Sequence, residues 1–243
     1  MSLDRLRYEV KILGFWMLAT PVLVVLGTGA VTLAIARLTT HSDAGTLARL
    51  LTANIEMLLP LAVGMVAATL CPQDAAQELQ LTLPRRFGDT TLVHLGLVVA
   101  WGGCIAFCAF VITYHLRLWR IPQPLQMPGV LQQVALGQLT WLSPMLWFAA
   151  FGLGLALITH SRAASVAILG GVWVFETLAY GWFIYKDWLH PFFLFPTTIT
   201  PYVSFWLANR FELIGMALAL LVICWLLLRN SEALIRASSG GEG

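Results

Sequence analysis

The chain has 243 residues and a formal net charge of +2; 59% of it is hydrophobic and only 11% charged, with a mean hydropathy of +0.81. A soluble domain carries about 25% charged residues, so this composition excludes an ordinary soluble enzyme and describes a polytopic membrane protein. The net charge is too small to imply nucleic acid, and the four cysteines, Cys71, Cys104, Cys108 and Cys224, lie in or beside apolar runs as small hydrophobes.

The first segment, MSLDRLRYEVK, is basic and leads into an apolar run, and Ala34-Ile35-Ala36 resembles a leader cleavage site. The run from Ile12 to Ala36 is 25 residues long, beyond the 7–15 or so of a leader core, and reads as a retained span. A membrane helix needs about 20 apolar residues. Five further segments qualify: Leu51–Cys71, Thr91–Tyr114, Val134–Ile158, Ala163–Tyr185 and Phe211–Leu228. In lipid each must satisfy its own amides, which makes them helices; the alternating short strands of a barrel are absent. The expectation is an all-α membrane protein with six transmembrane helices, a single domain over 1–236 and a small, polar, disordered tail over 237–243.

Six spans place both termini on one side. With the N-terminus inside, Arg5, Arg7, Lys11, Arg85, Arg86, Arg162, Arg229 and Arg236 lie inside, and Arg37, Arg49, Arg117, Arg120, Lys186 and Arg210 outside, eight against six of the fourteen. That balance favours cytoplasmic termini. Trp16 sits near the start of the first span, and Trp119, Trp182, Trp188 and Trp206 near the outer surface, as interfacial tryptophans do. Gly152/Gly154 and Gly170-Gly171 would let helices approach closely.

Between the second and third spans lies PQDAAQELQLTLPRRFGD, residues 72–89. Pro72 suits a first helical turn, Asp74 and Glu78 suit a helix N-terminus, and Ala75, Leu79 and Leu83 share one face. Pro84 ends the helix and Arg85 and Arg86 can anchor at headgroups. This is a short amphipathic helix, either lying on lipid or docking a cytosolic partner.

Between the fifth and sixth spans, Pro191, Pro196 and Pro201 exclude one regular helix. Yet the stretch is too apolar to be washed by water, and broken backbone at membrane depth is tolerated only when packed on protein or lining a cavity. Two acids fall inside spans. Glu56 lies about a turn and a half into span two, within reach of the outer headgroups, and Glu176 lies near the middle of span five, where an ionisable residue is a functional candidate by default. Thr20-Pro21 and Ser143-Pro144 would kink spans one and four.

The run Glu78-Leu79-x-Leu81-x-Leu83-Pro84-Arg85-Arg86 after a second span resembles the first cytoplasmic loop of ABC-2 type transporter permeases. Leu3, Leu6 and Val10, interleaved with Arg5, Arg7, Glu9 and Lys11, look like that family's interfacial helix before span one, and the short Thr159–Arg162 link and the proline-rich outer segment agree. The resemblance covers nearly the whole chain. It implies a transport subunit in the cytoplasmic membrane whose motor is a separate cytosolic ABC ATPase, with ATP and magnesium bound there, since no phosphate-binding GxxxxGK[ST] loop occurs here. Glu78, Leu79, Leu83, Pro84, Arg85 and Arg86 would form the coupling helix, with His160 and Arg162 a smaller second contact. Pro191, Phe193, Pro196 and Pro201 would belong to re-entrant helices gating the outer end, with Glu56 and Glu176 along the path. A second permease subunit, identical or related, would complete it, and the cargo would be hydrophobic or amphipathic and exported. The chain itself would be no enzyme and hold no cofactor or metal.

Two other classes are open: an ion-coupled carrier and an intramembrane enzyme, each using Glu176. No HExxH occurs, and Ser143 and Ser165 have no histidine at matching depth. Cys104 and Cys108 share a face that suits a soft metal, while His94 and His115 lie about 31 Å apart along one helix, too far to share haem.

Overall fold

The computed structural model describes residues 14–38, 44–70, 87–120, 122, 125–126 and 129–239, with side chains described from Asp89 in the third stretch and up to Arg229 in the last. In chain order its helices are α1 (Phe15–Leu38), α2 (Ala44–Ala67), α3 (Phe87–His115), α4 (Val130–Gly137), α5 (Leu139–Thr159), α6 (Arg162–Leu178), α7 (Tyr180–Tyr185), a 3₁₀ turn (Asp187–Phe192), α8 (Pro196–Ile199) and α9 (Trp206–Ser239). No strand occurs among the described residues. Five helical stretches are long and apolar enough to cross a membrane: α1, α2, Asp89–His115 of α3, Val130–Thr159 spanning α4 and α5, and Trp206–Arg229 of α9.

The stretch expected as a fifth span, Ala163–Tyr185, is interrupted. α6 has 17 residues, about 26 Å of helix against a hydrocarbon core of about 30 Å. The chain leaves helical geometry at Ala179 (φ −94°, ψ 14°) before α7, just ahead of Gly181, a poor helix former. The last helix begins earlier than expected, at Trp206 instead of Phe211, and runs on to Ser239. Residues 237–239 are therefore helical where a tail was expected, because adding residues to a formed helix costs little; 240–243 lie outside the described residues. So do the residues expected to form an N-terminal interfacial helix and a coupling helix, the latter with Glu78, Leu79, Leu83, Pro84, Arg85 and Arg86.

α2 is the central helix, with 67% of its apolar window buried against 11% for α1. It crosses α5 almost backbone to backbone. A Cβ on Gly64 would stand 2.8 Å from the Phe148 carbonyl oxygen, and one on Gly152 would run into the carbonyl oxygen of Gly64. Small residues at helix contacts in lipid permit this approach. Gly170 and Gly171, by contrast, face open space. α1 presents Trp16, Leu23 and Leu26 outward, the expected surface for a helix in lipid.

α2 also carries a π-helical turn, Asn54–Leu58. Its cause is Pro60: the ring has no N–H for the carbonyl of Glu56 and crowds it, and one widened turn absorbs the mismatch. Glu56 thus sits in the widened turn. α1 and α5 run helical through Pro21 and Pro144, with the preceding Thr20 and Ser143 hydroxyls donating to the Trp16 and Leu139 carbonyls.

Among the described residues, two non-glycine residues hold positive φ, Arg117 (56°) and His160 (49°). Each follows a helix end where glycine is favoured, and each L residue there costs roughly 1–2 kcal/mol.

Candidate functional site

The irregular chain between α7 and α9 is drawn inward. Phe193, Leu194, Phe195, Thr197 and Thr198 are buried although they belong to no long helix. Buried backbone groups outside regular structure need partners, and here side chains from several other elements supply them.

Glu56 reaches from the widened turn of α2. Its carboxylate accepts from the Thr197 amide at 3.0 Å and the Thr198 amide at 2.6 Å. These N–H groups open α8, which has no side-chain cap of its own; a carboxylate 141 residues away performs the capping. The same carboxylate is ion-paired with Nη2 of Arg210, and both side chains are fully buried. Arg210, in the first turns of α9, also donates through Nη2 to Thr197 Oγ1 at 3.2 Å, and through Nη1 to the Leu194 carbonyl at 3.0 Å and to Ser143 Oγ at 3.4 Å. Its guanidinium lies 5.4 Å from the Trp206 ring centroid, and Trp206 Nε1 donates to Thr197 Oγ1 at 2.8 Å.

Three further side chains hold the same segment. Asn209 Nδ2 donates to the His190 and Phe193 carbonyls at 2.7 and 2.9 Å. Glu176, in α6, accepts from the Leu194 amide at 3.3 Å. Arg120, just past α3, donates to the Thr198 carbonyl at 3.1 Å. Aromatic rings pack beneath: Phe195 stacks on Phe148 of α5 at 6.1 Å, and Phe193 on Phe183 of α7 at 5.8 Å. Side chains of α2, α6, α9 and the segment after α3 thus grip one backbone stretch, with Ser143 of α5 touching the arginine that grips it.

The ion pair could not stand alone in lipid, because desolvating two charges costs more than their attraction returns unless hydrogen bonds complete both. Here the carboxylate has three donors and the guanidinium three oxygen acceptors besides it. Within the site, Arg210 Nε, Asn209 Oδ1 and Thr198 Oγ1 stay buried without partners among the described residues.

Of the residues singled out in sequence, Glu56, Glu176, Pro191, Phe193, Pro196 and Pro201 all gather at or beside this clasp. Pro191 lies within the 3₁₀ turn and Pro196 opens α8. Glu56 is 0% exposed, so it does not reach for headgroups; the widened turn aims it inward. Arg210 and Trp206, counted with the outer surface in sequence, are buried partners in the site, because α9 starts a turn early and carries both into the bundle. Trp182 and Trp188 do stay exposed. The polar pair Asn209-Arg210 at the mouth of a long apolar run was the available signal, and Pro60 four residues after Glu56 was another.

His160 and Arg162 lie at the far end of the bundle, in the link joining α5 to α6. That link is locally satisfied: Ser161 Oγ accepts from the Ala164 amide at 3.3 Å and Thr159 Oγ1 donates to the Leu155 carbonyl at 2.8 Å. Cys104 and Cys108 are exposed and Cys224 is buried, all as free thiols, and among the described residues no group of three His, Cys, Asp or Glu side chains is placed to hold a metal. No family model matches the chain, and neither does any curated protein or solved structure compared with it.

Proposed function

We propose that this chain is the membrane subunit of an ATP-driven transporter of the ABC-2 kind, exporting a hydrophobic or amphipathic cargo and powered by a separate cytosolic ATPase. The observation that carries the reading is the clasp: a broken, apolar segment held among helix ends by side chains from several helices. α6 and α7 together serve as a sixth crossing, both termini face the cytoplasm across the inner membrane, and the clasped end faces outward. The 78–86 motif and the Thr159–Arg162 link then lie on the ATPase side.

Such a clasp suits a gate because its hydrogen bonds are interdependent. Glu56 of α2 and Arg210 of α9 hold each other and the same segment, so moving one helix against the other releases several hydrogen bonds at once. Bonds that break together favour two discrete arrangements over gradual loosening. A second copy or a related permease would supply the opposite wall.

The test is co-purification from detergent, wild type beside Glu78→Ala and Leu79→Asp. A nucleotide-binding partner is expected with the wild type, and its ATPase coupling is expected to fall in both variants. If no ATPase accompanies the protein, the reading fails. An ion-coupled carrier is the second reading, favoured by one observation: Glu176 is buried and meets an amide, with no cation against it among the described residues. Uptake into vesicles driven by an ion gradient without ATP, and lost in Glu176→Gln, would establish it.

A further inference from the structure

We propose that the cavity at the C-terminal end of α3 holds the anionic headgroup of a membrane phospholipid. The cavity is about 450 Å³ and is lined by Tyr114, His115, Arg117 and Trp119, within the range of about 300–1,000 Å³ usual for small-ligand sites. Its wall is preset. Buried Phe110 stacks on Tyr114 with centroids 5.8 Å apart and meets Trp119 edge-on at 4.8 Å.

Arg117 is the unusual member. The helix ends with the Arg117 amide donating to the Tyr114 carbonyl at 3.0 Å and the Leu118 amide to the Thr113 carbonyl at 2.9 Å. This reversal requires the left-handed backbone that Arg117 adopts, with φ 56°, and glycine serves it best. Arginine contributes nothing to the turn that glycine would not. Its side chain is exposed, and among the described residues its guanidinium has no carboxylate or carbonyl partner. Arg120, three residues on, spends its guanidinium on the Thr198 carbonyl, so Arg117 is the cation left facing the cavity.

The chemistry fits a phosphodiester. A guanidinium fork matches phosphate oxygens, and the tyrosine hydroxyl, histidine ring and indole N–H are further donors. The position selects a lipid over a free anion. The apolar span of α3 ends at His115, and Ile112 on its last turn and Leu116 just past it are exposed, four residues apart and so on one side of the chain beside the cavity, where acyl chains can lie. Tyrosine and tryptophan at that depth mark the headgroup level. This inference is independent of the transport reading.

The test reconstitutes the full chain in nanodiscs of equal phosphatidylglycerol and phosphatidylcholine and reads retained lipid by native mass spectrometry. Wild type should retain phosphatidylglycerol preferentially. Arg117→Gly should lose that preference about tenfold, the size of one charge-assisted contact, while its unfolding temperature holds or rises because the backbone strain is relieved. Arg117→Lys should keep part of the preference. Arg37→Gln, an exposed cation at the same end of the bundle, should keep all of it. The proposal is overturned if Arg117→Gly retains phosphatidylglycerol as wild type does, or if Arg37→Gln loses it equally, which would make the effect bulk surface charge. It is also overturned if soluble glycerol phosphate binds as tightly as the lipid, which would make the cavity a simple anion site.

Discussion

The two connections flanking α6 solve the same problem in opposite ways. Between α5 and α6 the chain turns in two residues, and every cap is local: His160 takes the left-handed conformation and Ser161 caps the next helix through the Ala164 amide. Between α6 and α9 the chain wanders from Ala179 to Phe205 through short local turns, and buried backbone groups between those turns are met by side chains from elsewhere. Glu56, Arg120 and Arg210 meet them from 142, 78 and 16 residues away respectively. A locally capped link is stable wherever its helices go. A remotely held segment is stable only while α2, α6 and α9 keep their places.

The largest expected effect comes from breaking the remote clasp. Glu56→Ala leaves Arg210 buried without its counter-charge and the α8 amides uncapped, and should cost about 3–5 kcal/mol in chemical unfolding from micelles. A loss below about 1 kcal/mol would show that the pair holds nothing. Replacing both partners, Glu56→Leu with Arg210→Met, should cost less than the two single changes added, with a coupling of up to about 3 kcal/mol in a double-mutant cycle. Additive losses would mean that the charges act separately on the segment. Asn209→Leu strips donors from the His190 and Phe193 carbonyls and should cost about 1–3 kcal/mol, with faster proteolysis between residues 187 and 205.

The local link should respond weakly and by itself. Ser161→Ala removes one cap and should cost about 1 kcal/mol, with no change in proteolysis of the clasped segment. His160→Gly should be the mildest change, within about 1 kcal/mol of wild type, because relief of the positive φ works against loss of the interaction His160 makes. If either link variant loosened the 187–205 segment, the two connections would be coupled and the contrast between them would fall.

The sequence legibly marks each long apolar helix, because a run of about 20 apolar residues in lipid has no other way to satisfy its amides. It also marks the broken outer segment, because Pro191, Pro196 and Pro201 forbid a regular helix. It falls short where hydropathy runs past a structural break, as at Ala179, and where a helix begins among aromatic residues, as at Trp206. Glu176 stands out as an acid in an apolar run, and it does touch the clasped segment at Leu194. Glu56 also stands out, but its direction depends on the widened turn above Pro60.

Composition and local pattern alone therefore determined an all-helical chain with several helices able to cross a membrane and one irregular apolar stretch near the last of them. Only the tertiary structure decided that Glu56 and Arg210, 154 residues apart, share one buried site. Hydropathy and helical periodicity are properties of neighbours along the chain, whereas an ion pair depends on which helix ends meet in space. A lone buried charge is too costly to leave unpaired, so the sequence announces that each needs a partner, and the packing of α2 and α9 against α5 names it.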